Sequence, residues 1–153
     1  MAEEKDTSQR DLILDAYSRI VRNTDGPGCV GLSPAEAAFC RVMWLEASVD
    51  NGGFALFFSD SYGDFASETL EALSSIGALD AAEILREAIA LFGPAGPSRD
   101  RATRNEELES LGQVADARLL QLDEAFYSQF EALDQLTLVF LRSAGLVEPG
   151  ATA

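Results

Sequence analysis

Eight carboxylates, Glu46, Asp50, Asp60, Asp64, Glu68, Glu71, Asp80 and Glu83, stand between Arg41 and Arg86 with no Lys, Arg or His among them. Carboxylates in such a row have three uses: acid–base catalysis by a pair with separated pKa values, ligation of a hard cation, or presentation of a negative surface to a basic partner. Catalysis needs two acids converging in a pocket, and nothing in the spacing provides that. Asp60, Asp64 and Glu68 could be set around a cation, but Asp60-Ser61-Tyr62-Gly63-Asp64 lacks the twelve-residue calcium-loop pattern and its closing glutamate. Histidine is absent, which removes Ser/His/Asp and Cys/His nucleophilic sites and most zinc geometries. No cofactor or metal is expected.

Of these three uses the negative surface fits best. At 100° per residue Asp64, Glu68 and Glu71 share one stripe, opposite Ala66, Leu70, Leu73 and Ile76. Side chains three or four apart on a helix are about 5 to 6 Å apart at Cβ, a spacing that could imitate successive phosphates. All eight acids are therefore candidate partner contacts. Against this stands a plainer use of the charge, as a solvated face that keeps the protein soluble.

The elements that must carry these acids are helices. Leu12, Ile13, Ala16, Tyr17 and Ile20 recur at helical spacing and predict a first helix ending before Asn23. Ser33-Pro34-Ala35-Glu36 supplies an N-cap, a first-turn proline and a capping-box glutamate for a second helix, Pro34 to about Val49, which Asn51-Gly52-Gly53 should break. Phe54, Phe57 and Phe58 resume helical spacing. A third helix is predicted from Gly63 and Asp64 to Ile76, stopped by Gly77, and a fourth from a capping box at Asp80-Ala81-Ala82-Glu83 to Phe92. After the linker Gly93 to Pro97, Arg99, Arg101 and Arg104 open a polar helix ending near Leu111 and form the only positive cluster, read as counter-ions for the acids or as a self-association patch. Val114 to Leu122 and Phe130 to Ala144 complete the set, with a turn expected at Asp123 to Tyr127. The fold class is all-α, one compact domain of six or seven helices over residues 9–145, with a disordered N-terminal tail expected at 1–8 and a flexible C-terminal tail at 146–153.

Composition narrows the partners. The 153 residues, 47 % hydrophobic, suffice for one domain with a core. Twenty-six acidic against 11 basic residues give a net charge of −15, and Lys5 is the sole lysine. Direct binding to nucleic acid or an anionic membrane is disfavoured, because those surfaces select basic patches. A basic protein partner fits, bound by a monomer or homodimer. Cys29 and Cys40 suggest no disulfide framework, no apolar N-terminal run follows a basic start, and the expectation is a reduced, cytoplasmic protein. Trp44 and Cys40 fall on the apolar side of the second helix as core residues.

Two segments together carry a resemblance: Glu46 through Phe58, containing Asn51-Gly52-Gly53-Phe54, and Glu71 through Ala78, containing Ile76-Gly77-Ala78. Gly63, Ile84-Leu85, Ala88 to Phe92, Leu122-Asp123 and Phe126-Tyr127 extend it over about Leu32 to Leu141. In these residues the chain resembles the acidic DNA-mimic protein family. The resemblance implies an all-helical fold, no enzymatic activity and, as in a characterised relative, binding to a helix-turn-helix transcription factor in place of its DNA operator. The alternative is a generic helical interaction or immunity-type module whose acidity serves solubility alone.

Overall fold

A computed structural model describes residues 2–148, with side chains from residue 9 onward. Seven α-helices, joined by turns, make up the described chain, and no strand occurs among the described residues. They are α1 (Ala2–Val21), α2 (Pro34–Ser59), α3 (Ala66–Ser75), α4 (Leu79–Ala90), α5 (Arg101–Glu109), α6 (Gln113–Tyr127) and α7 (Phe130–Ser143), with a 3-10 turn at Ser61–Phe65 before α3. Helix α1 takes in residues 2–8 of the first expected tail, and residues 149–153 of the second lie outside what is described.

Helix α2 is the axis. Its start is fixed as its sequence predicts: the Ser33 backbone N–H donates to Glu36 Oε1 at 2.9 Å, and the Glu36 N–H donates to Ser33 Oγ at 3.1 Å. Its first half packs with α1 and α7 around Phe39, Cys40 and Trp44, while its second half sits among α3, α4 and α6 with Phe54, Phe57 and Phe58 fully buried. A helix buried on most of its circumference must be apolar on most sides, and residues 37–58 are, with Arg41, Glu46, Ser48, Asp50 and Asn51 the polar exceptions.

The break expected at Asn51-Gly52-Gly53 is a kink from which the helix resumes at once. Gly53 has φ 74° and ψ −175°, a conformation open in practice to glycine alone. In an unbroken helix the Phe54 N–H would bond to Asp50 and the Gly53 N–H to Val49. Helix α6 supplies substitutes. Asp123 Oδ1 accepts the Phe54 N–H at 2.8 Å, and the Tyr127 hydroxyl donates to the Val49 carbonyl at 3.1 Å. Asp123 and Tyr127, four residues apart, lie on one face of α6 and grip both sides of the kink.

Two sequence expectations are corrected. The turn at Asp123 to Tyr127 does not exist: α6 runs unbroken to Tyr127, because Asp123 is committed to α2 and Phe126 is buried in the core beside Phe54. Nor do Asp80 and Glu83 form a capping box. Helix α4 starts one residue earlier, at Leu79, after a link in which Ala78 N–H donates to Leu73 O at 2.9 Å and Gly77 N–H to Ser74 O at 3.1 Å. Gly77, at φ 83°, thus ends α3 and fixes the entry to α4 in one step, leaving Asp80 inside the first turn.

A Cβ on Gly53 would lie 2.3 Å from Asp123 Oδ2. Gly53→Ala therefore pays backbone strain and displaces the carboxylate that satisfies Phe54, and is expected to lower unfolding free energy by about 2 to 4 kcal/mol in urea denaturation. A loss below about 1 kcal/mol would contradict this account of the kink.

Candidate functional site

The eight acids do not form one open row. Arginines pair with half of them, three from distant parts of the chain and Arg86 from the same helix as its partner. Glu46 pairs with Arg10 at 2.9 Å, Asp64 with Arg104 at 2.7 Å, Glu68 with Arg99 at 2.9 Å, and Glu83 with Arg86. Asp60 caps the 3-10 turn, accepting from the Ser61 N–H at 2.6 Å. Asp50, Glu71 and Asp80 are exposed, with no ion pair among the described residues. The stripe of Asp64, Glu68 and Glu71 is thus largely neutralised, which corrects the picture of an unbroken negative surface. Burial works to raise Glu68, yet the Arg99 hydrogen bond and its neighbours hold its carboxyl below the usual range.

Arg104 accounts for much of this correction. Its side chain is wholly buried and every guanidinium N–H is used. Nε donates to Phe58 O at 2.5 Å, one terminal nitrogen to Ser98 O and Arg99 O at 2.8 and 3.1 Å, and the other to Asp60 O and Asp64 Oδ1 at 2.8 and 2.7 Å. It ties the end of α2, the 3-10 turn and the segment before α5 into one body. Gly63 makes room for it, since a Cβ there would be 2.6 Å from Phe57 O and 3.0 Å from Arg104 Nε. The cluster of Arg99, Arg101 and Arg104 is therefore no surface patch: Arg104 is interior and Arg99 is spent on Glu68. Arg41 likewise lies over the Phe65 ring, 5.3 Å from its centroid.

Acids that do gather come from three helices around the kink. One nitrogen of Arg10 bridges Glu46 of α2 and Asp134 of α7, at 2.9 and 2.8 Å. Burial raises the Glu46 carboxyl to about 7 despite Arg10, with Asp134 and Asp50 adding to the rise. Asp134 is raised by burial and drawn back by Arg10. On the other side of the kink, burial and then the carboxylates of Asp123, Glu124 and Asp50 push the Tyr127 phenol up. Glu46, Asp50, Asp123, Glu124 and Asp134 are thus electrostatic neighbours, with Arg10 the one cation paired within the group among the described residues. Sequence reasoning missed Glu124 and Asp134. No local signal in the sequence places them there, because α6 and α7 meet the kink region only through tertiary packing.

Other candidates resolve simply. Cys29 and Cys40 are free and buried, and burial pushes the Cys40 thiol up to about 12, leaving it inert. Trp44 is core, stacked on Tyr62 with ring centroids 5.0 Å apart. No group of His, Cys, Asp or Glu set to hold a metal ion occurs among the described residues, and no described helix is long and apolar enough to cross a membrane.

Fold and surface together define an all-helical acidic protein in which two exposed carboxylates, Asp50 and Glu124, stand beside a locked kink. A family model, described as DMP19-like protein, matches residues 31–144, which include the kink, its α6 clasp and the Arg104 hub. The chain belongs to this family, a DNA-mimic family, as the Asn-Gly-Gly-Phe and Ile-Gly-Ala segments suggested. No match was found among the curated proteins or the solved structures.

Two substitutions probe the site's electrostatics. Arg104→Met leaves Asp64 and four backbone carbonyls without their buried donor, and is expected to cost about 3 to 5 kcal/mol in chemical denaturation. For Glu46, raised from 4.5 to about 7, the fold holds the proton more tightly than the unfolded chain, so its contribution is present below pH 4.5 and lost as pH rises to about 7. Glu46→Gln should therefore gain on the wild type across that window, by about 3 kcal/mol at its end, and run parallel above it. Parallel stability curves throughout would show that Glu46 titrates normally.

Proposed function

We propose that this chain is a non-enzymatic acidic binding protein that occupies the DNA-reading surface of a basic DNA-binding protein in the cytoplasm, of the helix-turn-helix transcription-factor kind, and so regulates transcription. One observation carries the reading: free carboxylates from α2 and α6 converge at a kink that two side-chain hydrogen bonds hold rigid. A mimic must present charge in a fixed arrangement, because a basic surface shaped for phosphates rewards preorganised acceptors and long flexible acids lose entropy on binding. Membership of a DNA-mimic family supports the same reading.

Of the acids first considered, Asp50, Glu71 and Asp80 are the proposed contacts, joined by Glu124. Glu46, Asp64, Glu68 and Glu83 contribute less, because each already has an arginine. The net charge of −15 adds long-range attraction for a basic partner and a faster encounter at low salt.

The test immobilises the protein, captures from native extract at low salt, and elutes with a salt gradient and separately with duplex DNA. The expected result is a DNA-binding protein released by both, with capture weakened about tenfold or more by Asp50→Lys combined with Glu124→Lys. A complex indifferent to salt and to DNA would overturn the proposal and leave the acidity as a solubility device.

A further inference from the structure

Helix α6 gives Leu119, Leu122 and Phe126 to the core it shares with α2 and α4, and leaves its opposite face uncovered. Gln113, Ala117, Leu120, Glu124 and Tyr127 stand on that face, alternately four and three residues apart, and all five are exposed. That alternation is the spacing by which one helix receives another along a seam. The face is also unusually apolar for open surface: of the seven exposed large apolar side chains among the described residues, α6 carries Val114, Leu120 and Tyr127, at 88, 66 and 38 %. We propose that this seam docks an amphipathic, basic helix of a partner protein, with apolar side chains on Ala117, Leu120 and Tyr127 and a lysine or arginine against Glu124. The seam rests on the binding role proposed above and names what the partner must present.

Charge selects the occupant. Glu124 holds a seam position itself, Asp116 and Asp50 flank it, and none of the three has an ion pair among the described residues. Asp50 adjoins the seam because the Tyr127 hydroxyl donates to the carbonyl of its neighbour Val49 at 3.1 Å. Arg118, the one cation of α6, is paired with Glu87 of α4 and does not offset them. A carboxylate covered by a docked helix is costly unless a cation meets it, so a purely apolar helix fits poorly. A second copy of the chain fits poorly too: whichever way two α6 seams ran, Asp116 and Glu124 would face the same acids, with −15 on each copy.

The face is preformed. Tyr127 is held by its bond to Val49 and by edge-on contact with Phe130, ring centroids 5.7 Å apart, while Asp123 ties α6 to the Phe54 N–H. A rigid face loses little entropy when a helix docks on it. Contact on Leu120 also gives the complex a part that salt does not screen, which separates a docked helix from loose attraction between an acidic protein and a basic peptide.

The probes are two fluorescein-labelled peptides of Leu, Ala, Lys and Arg, identical in composition and about 18 residues long, one with its leucines in a seam-spaced stripe and one with them spread round the helix. Binding to the full chain is read by fluorescence anisotropy at low and high salt. The striped peptide is expected to bind about fivefold tighter or more at both salts, and Leu120→Ser to weaken it about three- to tenfold without affecting the other peptide. Glu124→Gln should weaken it chiefly at low salt, and Val139→Ser, on the exposed side of α7, should change nothing. Leu120 and Val139 are exposed, so both variants are expected to fold, as circular dichroism would verify. Equal binding of the two peptides, or no effect of Leu120→Ser, overturns the seam. So does self-association of the wild type that Leu120→Ser abolishes, which would assign the face to a second copy. Capture from extract separates this proposal from the previous one. A DNA-binding protein held equally by wild type and Leu120→Ser sinks the seam alone, whereas selective binding of the striped peptide with no such protein captured sinks the DNA-reading role alone.

Discussion

The clasp that α6 places on α2 is the constraint on which the rest of the molecule depends. A helix that must pass through the whole protein cannot simply bend, because each bend leaves an N–H and a carbonyl without partners in a dry interior. Here Asp123 takes the Phe54 N–H and Tyr127 gives to the Val49 carbonyl, so the kink is satisfied from outside the helix. Once that contact is made, α6 is docked against α2, Phe126 meets Phe54 in the core, and the direction of the second half of α2 is set. That half then carries Phe57 and Phe58 into the cluster under α3 and α4.

Charge follows from the same geometry. An interior guanidinium is tolerable only if its donors are met, and the Arg104 side chain, wholly buried, has all of its donors met by carbonyls and Asp64. Its position consumes part of the acidic stripe on the α3 side. On the other side of the molecule, the kink brings Asp50 toward Glu124, and α7 adds Asp134 beside Glu46. Asp50 and Glu124 therefore stand free beside the locked backbone, whereas Arg104 and Arg99 damp Asp64 and Glu68.

Much of the fold was legible because its signals are local. The Ser33 and Glu36 capping box, the glycine stop at Gly77 and the apolar periodicities of α1, α3 and α7 each depend on residues within a turn or two. The failures were also of one kind. Asp123 and Asp80 were read as turn and cap residues, which is what isolated aspartates favour, but one was taken by a distant N–H and the other was displaced by the link at Gly77 and Ala78. The site was less legible than the fold. Asp50 stood out correctly as an exposed acid, whereas Glu46, Asp64 and Glu68 were already engaged by arginines 31 or more positions away in the chain.

The sequence by itself determined an all-helical acidic protein, the place of the kink and the family, since helix periodicity, glycine freedom and composition are properties of neighbouring residues. Tertiary structure alone decided which carboxylates remain free. Ion pairing falls off over a few ångströms, and the chain brings Arg10, Arg99 and Arg104 to their acids only after α1, α2, α3, α5 and α7 have packed.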